Sequence, residues 1–208
     1  MKQILILAIT TIILPKYNLL CNEIRPINQT IKTLMINGNT WKKNCPVNLK
    51  DLRYLKIEYL GFDNKSHIGE LIVHKNVAKE VSKIFKKLKA IKYPIYQMKL
   101  ASYYKGNDKI SMKNNNTSAF NCRLMTGSKI KWSKHSYGKA IDINPIQNPY
   151  IKKNKVLPKE GTKYINLNRK HFTSQSNDKA IIIKNDKIIK IFKNYGWIWG
   201  GNWTNLKD

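Results

Sequence analysis

Residues 52–90 read LRYLKIEYLGFDNKSHIGELIVHKNVAKEVSKIFKKLKA. Positions 52–62 alternate well enough for a strand, with a glycine turn after it. Residues 69–75, GELIVHK, read as a second strand. Asn76 is placed to cap a helix running to about Ala90, because Val77, Val81, Ile84, Phe85 and Leu88 recur at helical spacing and form one buried stripe. Lys79, Lys83, Lys86, Lys87 and Lys89 largely take the wet face. Pro94 stops the helix, and residues 94–100, PIYQMKL, read as a further strand. Strands and helices are mixed without the strand–helix–strand rhythm of a parallel sheet. The pattern therefore predicts an α+β fold: a single domain with a central, mostly antiparallel sheet and flanking helices.

Outward from this block the chain becomes less periodic. Residues 104–120, YKGNDKISMKNNNTSAF, are polar with no clear period and read as a surface loop of a length that is often functional. Residues 144–180 form a second irregular region with three prolines and Gly161. Residues 181–196, IIIKNDKIIKIFKNYG, offer a short strand, a turn and a short helix. Trp197, Trp199 and Trp203 alternate near the end, and at least two of them are expected in the core. No internal repeat and no domain-splitting linker is evident.

The 208 residues suffice for one domain with a real core, and a hydrophobic share of 42% fits a folded chain rather than a disordered one. Thirty-nine basic residues against 12 acidic ones give a formal net charge of +27, which suits an anionic partner. The lysines are spread along the chain, without a block of interleaved aromatics, so a solvated surface is favoured over a nucleic-acid site.

At the N-terminus, Lys2 precedes an uncharged apolar run over residues 4–14 that Pro15 and Lys16 end. The run is long enough for the core of a signal peptide and short for a membrane span. Residues 1–21 are read as a leader or N-terminal anchor, 22–40 as a polar joint and 41–208 as the folded domain. Removal of the leader near Cys21 would leave Cys45 and Cys122, a possible disulfide in an oxidising compartment.

The chemistry concentrates in residues 132–145, WSKHSYGKAIDINP. In an extended segment Ala140, Asp142 and Asn144 share one face and Ile141 and Ile143 the other, so the isoleucines enter the core while Asp142 points into a cleft. Gly138 allows a tight approach just before that segment. His135, on the incoming loop, can fold back beside Asp142. One imidazole nitrogen and one carboxylate oxygen suit zinc, although a catalytic zinc normally takes three protein ligands.

The pattern S-x-H-x-x-G-x-A-x-D, here Ser133, His135, Gly138, Ala140 and Asp142, resembles the signature of the zinc D-alanyl-D-alanine carboxypeptidase family, peptidase family M15. Residues 117–123 (TSAFNCR), 140–150 (AIDINPIQNPY) and 196–203 (GWIWGGNW) resemble its VanY-like branch in order and spacing, so the likeness runs from about Trp41 to the end. The resemblance implies a hedgehog/DD-peptidase-like fold and a Zn2+-dependent peptidase acting on peptidoglycan stem peptides, at D-Ala-D-Ala or at L-Ala-D-Glu. It implies that His135 and Asp142 ligate zinc, that Arg123 binds substrate and steadies developing negative charge, and that Ser133 supports the site by hydrogen bonding. It places Asp208 as the catalytic general base, first residue of an expected D-x-x-H-F whose histidine is the third ligand. The sequence stops at Asp208, so impaired zinc binding is expected of this form. His171, though followed by Phe172, lacks the acid three residues earlier and is read as a loop histidine; His67 and His74 are given structural or solvent roles. The expected protein is an exported, periplasmic or envelope-associated monomer, touching a membrane only through an uncleaved N-terminal segment. A non-catalytic wall-binding pseudoenzyme of the same fold and a basic nucleic-acid binder are the competing readings.

Overall fold

The structure is a computed structural model that describes residues 22–165, 175–204 and 207. Its centre is a three-stranded antiparallel sheet in the order β1-β2-β3, formed by Glu23–Pro26, Leu52–Leu60 and Ser66–His74. The β2–β3 hairpin runs in register from Leu52↔His74 to Leu60↔Ser66. Its turn closes where Gly61 N–H donates to Lys65 O at 2.8 Å, with Asn64 in the left-handed region that suits asparagine. The strand expected to begin at residue 69 thus begins three residues earlier, because the register carries it to the turn.

Period-2 alternation decides which side chain meets which layer. Leu55, Ile57, Leu71 and Val73 face α2, Lys75–Ala90, whose Ala78, Val81, Ile84, Phe85 and Leu88 are all buried against them. The opposite face is covered at one end only: Leu52, Tyr54 and Ile72 pack with Ile31, Met35, Leu100, Phe120 and Cys122. Farther along that face Lys56 is exposed. The helical stripe read from the sequence is therefore present, with Val77 only half-buried. The cap differs: the N-cap is His74, whose Nδ1 accepts from Asn76 N–H at 3.2 Å. Nor does Pro94 end the helix. It stops at Ala90, and Lys92 turns the chain in a left-handed conformation. Lys89 leaves the wet face to pair with Glu58.

The segment expected as a polar joint, 22–40, belongs to the fold. β1 adds to β2 antiparallel, and α1, Gln29–Asn37, buries Ile31 and Met35. The Asn22 amide donates to Ser82 O at 3.1 Å and accepts from Glu58 N–H at 2.9 Å. The leader read at residues 1–21 lies outside the described residues; no helix among those described is long and apolar enough to cross a membrane.

After α2 the regular elements are short. β4, Gln97–Met98, is all that forms of the strand expected over 94–100, and it pairs in parallel with β5, Asn116–Thr117. Between them lies α3, Asp108–Lys113, capped by Asn107. Residues 104–120 are thus no surface loop: Ser111, Asn115, Asn116, Thr117, Ala119 and Phe120 are buried. β6 (Tyr150–Lys152) and β7 (Lys155–Leu157) make a small hairpin. α4, Ser176–Lys179, and α5, Lys187–Lys193, follow, the latter setting Ile188 into the α2 core. Residues 181–183, read as a strand, make none. Trp197 and Trp199 pack half-buried on that core, while Trp203 is exposed.

The outer edge of β3 positions the site. Instead of another long strand, two irregular segments bond to it. Phe120 N–H donates to Ile72 O at 3.0 Å, and His74 N–H donates to Gly138 O at 2.9 Å. Gly138 sits at φ +62°, and a Cβ there would come 2.6 Å from His74 N. Only glycine combines that dihedral with that approach.

Candidate active site

Two strips of chain build the site, residues 117–123 and 133–144. In the first, Phe120 and Cys122 enter the core beneath the sheet end, while Asn121 and Arg123 point the other way. Cys122 is bonded to Cys45, with Cα atoms 5.9 Å apart and 77 residues between them in sequence. This links the strip to the loop after α1, and Cys122 N–H donates to Thr40 O at 3.0 Å on the same side.

The second strip begins with a 3-10 turn, Lys134–Tyr137, so His135 lies on a short helix rather than on a loop. Ser133 caps that turn, its Oγ accepting from His135 N–H at 3.3 Å while its own N–H donates to Arg123 O at 3.1 Å. Ser136, fully buried, ties the strips together: its Oγ donates to Arg123 O at 2.7 Å and accepts from Arg123 N–H at 2.9 Å. After the Gly138 turn the chain runs extended but forms only a two-way bridge, Ser118↔Asp142. Ile143 is buried in the α2 core and Ile141 packs at its margin, while Asp142 turns to the other side. Asn144, expected on the same face as Asp142, is instead buried. Its amide accepts from Tyr96 N–H at 2.9 Å and donates to Pro94 O at 2.9 Å.

The outcome is that His135 and Asp142 meet. His135 Nε2 stands 3.3 Å from Asp142 Oδ1. The other ring nitrogen, Nδ1, lies 2.6 Å from Ala119 O and donates to it, which fixes the ring and directs Nε2 at the carboxylate. Burial opposes charge on this imidazole, but the Asp142 carboxylate outweighs it by charge and hydrogen bond, and the group is pushed up to about 9. Burial likewise opposes ionisation of Asp142, and the facing imidazolium holds its carboxyl below the ordinary value. Without a metal the two form a buried ion pair. Arg123 acts on both, disfavouring the cation and favouring the carboxylate.

The pair fits two positions of a zinc site. Tetrahedral bonds of about 2.0–2.2 Å set two ligand atoms about 3.3–3.6 Å apart, the separation seen here. Among the described residues no third histidine, cysteine, aspartate or glutamate completes a metal-binding group. Asp208 and His171 lie outside the described residues. His67 bonds Asp63 at 2.9 Å and stacks on Tyr59, and His74 caps α2; both are structural.

Three further polar residues join the site that the sequence reading did not single out: Asp108, Asn121 and Ser136. Asp108 forms an ion pair with Arg123 through Nε, and its Oδ1 accepts from Asn121 Nδ2 at 2.6 Å. Burial pushes the Asp108 carboxyl up, against the pull of Arg123 and His135. The only signal was position: Asn121 lies in the TSAFNCR block and Ser136 beside His135, while Asp108 sat in a stretch with no period.

The α+β domain thus brings a buried histidine and an aspartate together beside an arginine. Residues 126–208 match the family model described as D-alanyl-D-alanine carboxypeptidase, so this part of the chain is similar to the M15 peptidases. The matched part holds His135 and Asp142, while Arg123 and Asp108 lie just ahead of it. No curated protein and no solved structure matches the chain.

Proposed function

We propose that this protein is an exported, zinc-dependent peptidase that hydrolyses peptidoglycan stem peptides, at D-Ala-D-Ala or at L-Ala-D-Glu. The observation that carries the reading is the His135–Asp142 pair, with Nε2 and Oδ1 at ligand spacing and the ring fixed from behind by Ala119 O. His135 Nε2 and Asp142 Oδ1 would hold the ion. Zinc, when bound, polarises a carbonyl and acidifies water. To hold the ion, His135 would be neutral, and its ion pair with Asp142 would give way to shared ligation. Arg123 supplies a fork of fixed donors for a substrate carboxylate or for the oxyanion of the tetrahedral stage. Asp208 takes the proton of the attacking water and returns it to the leaving amine. Ser133 and Ser136 hold the backbone that carries Arg123 and His135.

Two features support the compartment and substrate. The Cys45–Cys122 bond suits an oxidising environment, and a net charge of +27 suits a carboxylate-bearing wall polymer. The test is direct: the protein, with any residues encoded after Asp208 included, is supplied with zinc and incubated with purified muropeptides, and the products are weighed by mass spectrometry. Loss of one D-alanine, or scission between L-Ala and D-Glu, is expected; intact muropeptides after prolonged incubation would end this reading.

A further inference from the structure

Arg123 is long, flexible and near the mouth of the site, yet its role demands a fixed plane. Two contacts fix it. Nε pairs with the Asp108 carboxylate, and Nη1 donates to Leu124 O at 3.2 Å. A guanidinium ion-paired through Nε and hydrogen-bonded at Nη1 keeps its Nη2 hydrogens to offer as donors.

Asp108 is itself held more firmly than an aspartate in the first turn of a six-residue helix needs to be. Asn121 Nδ2 donates to Asp108 Oδ1 at 2.6 Å and to Gly106 O at 3.0 Å, stitching the start of α3 to the strip that carries Arg123. Asn107 Oδ1 accepts from Ile110 N–H at 3.2 Å and sets the direction of that turn. Gly106 lies at φ +67° against the backbone of Asn39, 3.0 Å from where a Cβ would sit. The Cys45–Cys122 bond anchors the residue between Asn121 and Arg123. Asp108 also lies within electrostatic reach of His135 and Asp142, so it belongs to the same charged group of residues. An acid is scarce in this chain, 12 against 39 bases, and this one is set on the side chain assigned to substrate.

We propose that Asp108 is a positioning residue of the active site, whose ion pair with Arg123 Nε orients the guanidinium so that its Nη2 hydrogens are presented to the peptide's carboxylate or oxyanion. The inference rests on the peptidase reading above. It makes α3 and the segment before it, residues 105–113, a support of the reaction rather than a peripheral excursion. Losing the clamp leaves the guanidinium charge in place but lets its plane wander, and hydrolysis depends on that plane.

The experiment is a double-mutant cycle on the zinc-loaded full chain. Asp108→Asn keeps the shape and an acceptor for Asn121 while removing the charge. It is expected to lower kcat/KM about 10- to 100-fold in the parent and less than about 2-fold in the Arg123→Ala background, because the interaction it breaks is already gone there. Asp108→Glu should regain much of the loss. The Nε–Hε signal of Arg123, one of only four arginines, should be protected from solvent exchange in the parent and lose that protection in Asp108→Asn. Equal losses in both backgrounds, or an unprotected Arg123 Hε in the parent, would overturn the positioning role while leaving the peptidase reading intact. A parent chain that cleaves no muropeptide would remove both.

Discussion

Residues 52–90 and residues 115–147 are both buried, and they are buried by opposite means. The first block, two long strands and a helix, buries mainly aliphatic and aromatic side chains, and the hydroxyls of Tyr54 and Tyr59 are the polar groups it takes inside. The second contributes nine of the twelve buried polar residues among those described: Asn115, Asn116, Thr117, Asn121, Ser133, His135, Ser136, Asn144 and Gln147. Apolar burial is non-directional, so the first block tolerates any packing that fills the space. Polar burial works only if each donor finds its acceptor, so the second is a set of one-to-one assignments. A scaffold and a site have been made from the two kinds of interior, and they meet along the outer edge of β3.

Substitutions sharpen this contrast. The largest effect is expected at the centre of the polar block: on the proposed function, His135→Ala should cut muropeptide hydrolysis by more than about 100-fold, since even residues that only support a metal ligand cost ~10- to 100-fold. A kinetic assay that finds a tenth of the parent rate would break the assignment. In the apolar block, Phe85→Ala should cost about 3–5 kcal/mol in urea unfolding, because the ring is 1% exposed and leaves a cavity. The metal-free protein should also depend on pH through the His135–Asp142 pair. His135 is raised from 6.5 to about 9, so its contribution is full below 6.5 and is lost as pH climbs to about 9. Asp142 is depressed, so its contribution is present above the ordinary carboxylate range and is lost as pH falls through its lowered value. Melting temperatures across that range check both limbs, and His135→Gln should flatten the alkaline one.

Smaller changes separate the blocks further. Asn144→Ala strands Tyr96 N–H and Pro94 O and should cost about 1–3 kcal/mol, although it removes little apolar area. Lys83→Ala, on the wet face of α2, should stay within about 0.5 kcal/mol. Equal costs for these two would show that the buried amide does nothing its volume does not.

The same contrast explains what was legible beforehand. The β2–β3 hairpin and the α2 stripe could be read because apolar burial writes a period into the chain, 2 in strands and 3.6 in helices. The α2 cap was misplaced because histidine is an unusual cap, and only the structure shows Nδ1 of His74 serving Asn76. Residues 22–40 were set aside for their polarity, although Ile31 and Met35 carry enough of a stripe to bury α1. Strand alternation and the Gly138 turn already allow His135 to fold back beside Asp142, whereas their roles and the choice of Arg123 come from family resemblance, because a pair seven residues apart is weak evidence by itself. Asp108 and Ser136 were missed because a polar side chain that finds its partner by tertiary contact leaves no periodic mark. Even Asn144, placed correctly in the motif, was assigned to the wrong side, because the left-handed backbone there interrupts strand alternation.

The two backbone bonds by which Phe120 and Gly138 cover β3 do more than place a histidine. They occupy hydrogen-bonding groups that another chain would otherwise find. If the two strips peel away, the hairpin is left with a bare rim of amides and carbonyls beside apolar side chains. Damage to this site therefore threatens clumping between molecules, and solubility becomes a visible measure of whether the two strips are seated.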